Sequence, residues 1–155
     1  MTVLALAFFI GVLNGLRSFT PPAVAAWAAH LSWIKLHGAL ALFSSVPVVA
    51  LFTLLAAFEL VADKMPWIPA RITTMSLVAR GVMGALTGAC VAAAGGLWAG
   101  IGAACGVAGG MTGAFAGYHA RLSLAKALGM PDIYLALVEG MICVAGALWV
   151  VTRFQ

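Results

Sequence analysis

Charge is what this sequence has least of. Eight lysines and arginines and only four acids occur in 155 residues, so 8% of the chain is charged, against roughly 25% in a soluble domain. A soluble fold of this length could not cover so much apolar surface. The net charge of +4 comes from too few groups to form a nucleic-acid-binding patch, so no nucleic-acid partner is expected. Metal and catalytic motifs are missing as well. Cys90, Cys105 and Cys143 lie in apolar runs without a CxxC spacing, as free thiols that pack like small hydrophobes do. His30, His37 and His119 are too far apart for a recognisable metal site. No Gly-x-Ser-x-Gly elbow, HExxH pair or phosphate-cradling glycine loop occurs. The reading is of a chain with no cofactor and no metal, and more naturally no enzyme.

What is present is apolar. Hydrophobic residues make up 65% of the chain and the mean hydropathy is +1.14, which predicts an all-α polytopic membrane protein in a single membrane domain, residues 1–155. Its organising stretch is Gly100–Arg121, where Gly102, Gly106 and Gly110 line one helical face and Gly109, Gly113 and Gly117 a neighbouring one. Each interior Gly costs a helix about 1 kcal/mol in water. In a bilayer the backbone must satisfy itself, and small residues let helices approach closely. A glycine-zipper helix packed on more than one side is predicted, and its faces would also suit a homo-oligomer.

Read in order, Val3–Leu16 and the run through Ala29 flank Arg17-Ser18-Phe19-Thr20-Pro21-Pro22. Val3–Leu16 lacks the basic n-region of a signal peptide and is kept in the mature protein. It is too short to span alone, since a crossing needs about 20 residues. Thr20 suits an N-cap and Pro21 the first helical position. The two runs therefore read as one crossing made of two half-helices, with a re-entrant loop as the alternative. Gly38–Val61 forms the second span, kinked near Ser44, Ser45 and Pro47. Met75–Ala94, the glycine helix and Ile133–Val151 complete about five transmembrane helices. HARLSLAKALG reads as a short amphipathic helix before the last span, stopped at Gly129. Residues 3–62 and 97–151 carry a weak suggestion of an inverted repeat.

Five crossings put Lys64, Arg71, Arg121 and Lys126 on one side, and only Lys35 and Arg153 on the other. The positive-inside rule then places the N-terminus in the cytoplasm and the C-terminus in the periplasm. Trp27, Trp33, Trp98 and Trp149 gather at the outer interface, leaving Trp67 inside.

Three blocks add a resemblance. GLRSFTPPAVAAWAA (15–29), ELVADKMPWIP (59–69), and GYHARLSLAKALGMPD (117–132) followed by ALVEG resemble a family of small bacterial inner-membrane proteins catalogued only as a domain of unknown function. The resemblance implies a multi-spanning bacterial inner-membrane protein and assigns no activity or site residue.

The residues able to carry chemistry are ionisable groups at membrane depth. An unpaired Arg there costs at least about 2.5–3.5 kcal/mol, so Arg17 should face protein, a partner or a wet cavity. With Asn14, Thr20 and the N-terminal end of the half-helix, it could hold a small anion or an acidic lipid headgroup. It could equally cap carbonyls freed by the break, or pair with an acid. Glu139 is expected to pair with Arg80 or Arg17, with a titrating carrier site as the alternative, and Glu139 and Arg80 join Arg17, Asn14 and Thr20 as candidate substrate-binding residues. Glu59 and Asp63 would lie at the inner interface, four apart on one face. His119 and Arg121 mark the end of the glycine helix, where anionic lipids would meet the basic loops. Two functions fit. One is a small transporter or channel for an anion or acidic headgroup, using the broken helix. The other is a non-transporting scaffold, assembly partner or lipid-binding protein.

Overall fold

The computed structural model describes residues 2–62, 74–128 and 132–155, less the side chains at 62, 125–128 and 132–133. Six α-helices occur among them: α1 (Val3–Leu16), α2 (Thr20–His30), α3 (Val46–Ala62), α4 (Thr74–Ala94), α5 (Ala99–Leu128) and α6 (Asp132–Val151). Short 3-10 segments cover Gly38–Ser44 and Thr152–Phe154. The protein is an all-helical polytopic membrane protein. By length and apolarity α4, α5 and α6 each qualify as a crossing, and the Gly38–Ser44 segment with α3 makes a fourth if the 65° bend between them lies within one span. The expected kink at Ser44-Ser45-Pro47 is this bend.

The core is three helices drawn together by glycine. On α5, a Cβ at Gly102 would collide with Gly88 and Ala92 of α4, and one at Gly106 with Gly84. The neighbouring face meets α1: Gly109 lies on Phe8 and Gly11, Gly113 on Val12, and Gly117 on Leu16. The division is not strict, since Gly106 and Gly110 also lie against Gly11 and Gly15 of α1, and both neighbouring helices belong to this chain. Backbones this close leave no room for a methyl group, which is why dispersion contacts hold these helices together where lipid is as apolar as the side chains.

Two expectations need correction. HARLSLAKALG is not a separate helix, because α5 continues unbroken through Leu128. No proline interrupts that stretch, and the glycine beside it, Gly117, is held in helix by its packing on Leu16. Nor do α1 and α2 form one crossing. Val3 packs on Gly95 at the end of α4, and Phe9 stands edge-on to Trp149 near the end of α6. Further along, Leu13 meets Gly146 and Arg17 meets Gly140, so α1 runs antiparallel to α6. α2 then turns back. Its start lies at Glu59 late in α3, while His30 at its end bonds the carbonyl of Ser44, ahead of α3. The alanines of α2 share a core with Phe43, Val151 and Phe154. The two helices form a re-entrant hairpin whose tip is Arg17-Ser18-Phe19. At 14 and 11 residues, they are about 21 and 16 Å long, each short of a hydrocarbon core about 30 Å thick.

The reversal moves one end of the chain. Val3 and Leu6 line a cavity together with Trp149, Arg153 and Phe154, so both chain ends lie at the same end of the bundle, where a single broken crossing would have separated them.

Candidate functional site

The hairpin tip gathers the polar groups that the sequence singles out. It is buried: Arg17 is 1% exposed, and Ser18 and Thr20 are each 7% exposed. A bent backbone at this depth must find partners for its free amides and carbonyls within the protein. Each class of group finds one from a different helix.

The amides are taken first. α2 opens with Thr20-Pro21-Pro22, and its N-cap is Phe19 with no side-chain cap. Thr20 is thus the first helical residue and not the cap. Pro21 and Pro22 have no N–H, so donors near the helix start are concentrated just before them. Glu59 of α3 supplies the acceptor: Ser18 N–H donates to Oε1 at 2.6 Å and Phe19 N–H to Oε2 at 3.1 Å. The carboxylate meets the positive end of α2 face-on, as an anion there should.

The carbonyls follow. The last residues of α1 have no next turn to bond their carbonyls. Arg80 of α4, 6% exposed, donates from Nη1 to the Gly15 carbonyl. Arg80 thus meets a carbonyl of the kind that the sequence reading considered for Arg17. Arg17 instead reaches across to α6, donating from Nη2 to the Ala136 carbonyl at 2.7 Å, with its guanidinium against Gly140. Gly140 makes this approach feasible, since a Cβ there would sit 3.4 Å from Arg17 Nε.

One turn above the tip, Asn14 is fully buried. Its Nδ2 donates to the Ile10 carbonyl at 2.8 Å and to Thr87 Oγ1 at 2.7 Å, while Thr87 donates on to the Met83 carbonyl at 2.9 Å. The Ile10 carbonyl fixes the amide's orientation, because turning it would face two oxygens. Nearby, the Cys143 thiol donates to the Leu13 carbonyl at 3.6 Å.

Glu139 stands apart from this cluster. Its carboxylate pairs with Arg121 of α5, Nη1 to Oε2 at 3.4 Å, a partner that the sequence reading did not name for it. Arg80 and Arg17 are drawn to backbone carbonyls at the tip, whereas Glu139 opens to the α5 side of α6. The pair borders a cavity of about 200 Å³. His119, exposed, rests edge-on against Tyr118 with ring centroids 5.5 Å apart. Asp63 falls outside the described residues. Among those described, no three His, Cys, Asp or Glu side chains come together as metal ligands would.

The structure thus brings Asn14, Arg17, Thr20, Arg80 and Glu59 to one place, and leaves Glu139, Arg121 and His119 elsewhere. Sequence reasoning missed Glu59 as the cap and Thr87 as the partner of Asn14. The signal for Glu59 was present: a Pro-Pro start forces its free amides onto the preceding residues, and Glu59 is one of four acids in the chain.

On one further side, α2, α3 and α6 enclose an apolar groove of about 670 Å³, bordered by Thr20, Trp27, Thr53, Leu60, Gly140 and Val144 among others. The Trp27 indole N–H donates to Thr53 Oγ1 at 3.0 Å, closing one polar pair in its wall.

Over residues 4–152 the chain matches a family described as Domain of unknown function (DUF4126). No curated protein and no solved structure matches it.

Proposed function

The chain belongs to the DUF4126 family, whose description names no activity, and we propose from its geometry that it is a non-transporting, lipid-binding membrane scaffold. The observation that carries this reading is the Glu59 carboxylate on the Ser18 and Phe19 amides. A carrier built on the broken helix needs that helix start open to its substrate. Here the anion position is filled by an acid of the same chain, while Arg80 and Arg17 hold carbonyls of α1 and α6. The groove between α2, α3 and α6 is the shape and polarity of an acyl chain's surroundings, and the bilayer supplies the chain.

A flux measurement tests the reading. Purified protein in liposomes should pass chloride, phosphate and small carboxylates no faster than protein-free liposomes, while retaining phospholipid through purification. Flux that Arg17→Gln abolishes in a folded variant would overturn it in favour of a carrier. A second reading rests on the same carboxylate: the tip accepts one, so a substrate anion could exchange with it. In that case Glu59→Gln should create or increase flux, and unchanged flux in this variant rejects it.

A further inference from the structure

We propose that the cavity where the two chain ends meet binds an anionic phospholipid, its phosphate on Arg153 and its hydrocarbon against Val3, Leu6 and Phe154. This rests on the lipid-binding reading above and adds the headgroup class, at a site separate from the hairpin tip and from the groove between α2, α3 and α6.

The first argument is shape. The cavity holds about 300 Å³ and is lined by Val3, Leu6, Trp149, Arg153 and Phe154, at the lower end of the range for small-molecule sites. Its walls are continuous with the core. Leu6 is 4% exposed and clusters with Ile10, Val91 and Val150, and Val3 and Phe154 pack against the same cluster. The exposed Arg153 stands at the rim. Apolar walls with one cation at their edge suit an amphiphile, because a bare anion would leave the walls uncovered.

The second argument is charge. Arg153 Cζ lies 4.7 Å from the centre of the Trp149 ring, within the roughly 6 Å reach of a cation–π contact. Phe9 backs that ring edge-on, with centroids 5.8 Å apart. Contact with a ring face positions the guanidinium without occupying it with an oxygen. Among the described residues no carboxylate or carbonyl meets its N–H donors. The two acids whose side chains are described stand elsewhere, Glu59 on the hairpin tip and Glu139 against α5 from the first half of α6. A guanidinium fork held in place by an aromatic ring matches a phosphate. A zwitterionic headgroup would bring an ammonium for which this cavity has no carboxylate, so a net negative headgroup is favoured.

The third argument is level. α6 runs for 20 residues, about 30 Å, which is the thickness of the hydrocarbon core. Arg153 comes just after its last turn, at the height of lipid phosphates. Trp149, 38% exposed, lies one turn earlier, as an interfacial aromatic does.

The test uses the full chain, delipidated in detergent and offered phosphatidylglycerol and phosphatidylcholine with identical acyl chains. Native mass spectrometry should show the glycerol lipid retained about tenfold more, the value of one charge-assisted hydrogen bond. It should also raise the melting temperature of the wild type. Arg153→Gln should remove both the preference and the shift. Val3→Trp, which leaves the charge in place, should lower retention by filling the cavity. Lys35→Gln removes another exposed cation of the same end, one that does not line the cavity, and should leave the preference intact. Equal retention of the two lipids by wild type overturns the proposal and leaves the lipid-binding reading standing, whereas retention of neither overturns both. Loss of the preference in Lys35→Gln as complete as in Arg153→Gln would make it a property of a basic surface and overturn the site. Displacement of the lipid by inorganic phosphate at equal concentration would assign the cavity to a free anion and overturn it too.

Discussion

Glu59 Oε1 accepts a hydrogen bond from the Ser18 amide at 2.6 Å, across 41 residues of chain. Through this contact the last turns of α3 hold the point at which α1 gives way to α2. Without an acceptor there, two backbone donors would be left inside the protein, and a hairpin tip at membrane depth is tolerated only when such groups are met.

Glu59→Ala should therefore lower the unfolding free energy in detergent by about 2 kcal/mol, the scale of a hydrogen bond to a charged group. Glu59→Gln keeps one acceptor oxygen and should fall between Ala and wild type. Thermal and chaotrope melts that rank all three alike would remove Glu59 from its capping role.

The glycine contacts give a position-specific expectation. A Cβ at Gly106 would strike the Gly84 carbonyl and sit 3.2 Å from the Gly88 Cα, whereas one at Gly81 meets nothing nearer than Met111 Cε at 4.0 Å. Gly106→Ala should separate α4 from α5 and sharply lower the melting temperature. Gly81→Ala should be neutral or slightly stabilising, because Ala is the better helix former. Similar melting for the two variants would mean that close backbone approach does not hold these helices.

Chain ends provide the third. Val3 and Phe154 border one cavity, so reporters fused at the two ends should report the same side of the membrane. Lys64 and Arg71 fall between α3 and α4 in sequence, and Arg121 and Lys126 near the α5–α6 connection, while Lys35 and Arg153 belong to the opposite end. By the positive-inside rule both reporters should then read out on the non-cytoplasmic side. Reporters on opposite sides would restore a single crossing for α1 and α2.

Much of this was legible because helix geometry is local. Glycines at Gly102, Gly106 and Gly110 recur near the helical period, and a second register at Gly109, Gly113 and Gly117 can only face elsewhere. Their spacing marks where another backbone can come close, but not that Gly106 and Gly110 meet α1 as well as α4. The break at Arg17-Ser18-Phe19 was legible for the same reason, since Pro-Pro starts a helix and rarely continues one. Its direction was not. Val3 to Ala29 has the length of one crossing whether it runs straight or folds back, and what separates the cases is where Glu59 and Arg80 meet it. Those partners come from α3 and α4, so no pattern within the segment records them. The Glu139–Arg121 pair was not legible either: depth and helical face admit Arg80, Arg17 and Arg121 alike. Arg80 goes to the Gly15 carbonyl, freed where the chain turns, and Arg17 to the Ala136 carbonyl within α6.

The cavity shared by Val3, Leu6, Trp149, Arg153 and Phe154 has a consequence for how such a chain can be multiplied. Because entry and exit lie at one end of the bundle, a second copy joined tail to head would insert the same way up as the first, through a short extramembrane linker. A chain whose ends lay on opposite sides would give an upside-down second copy, or need an extra helix to right it. Gene fusion here yields parallel repeats, and the same proximity permits a permuted chain, opened at another loop and closed between Phe154 and Val3.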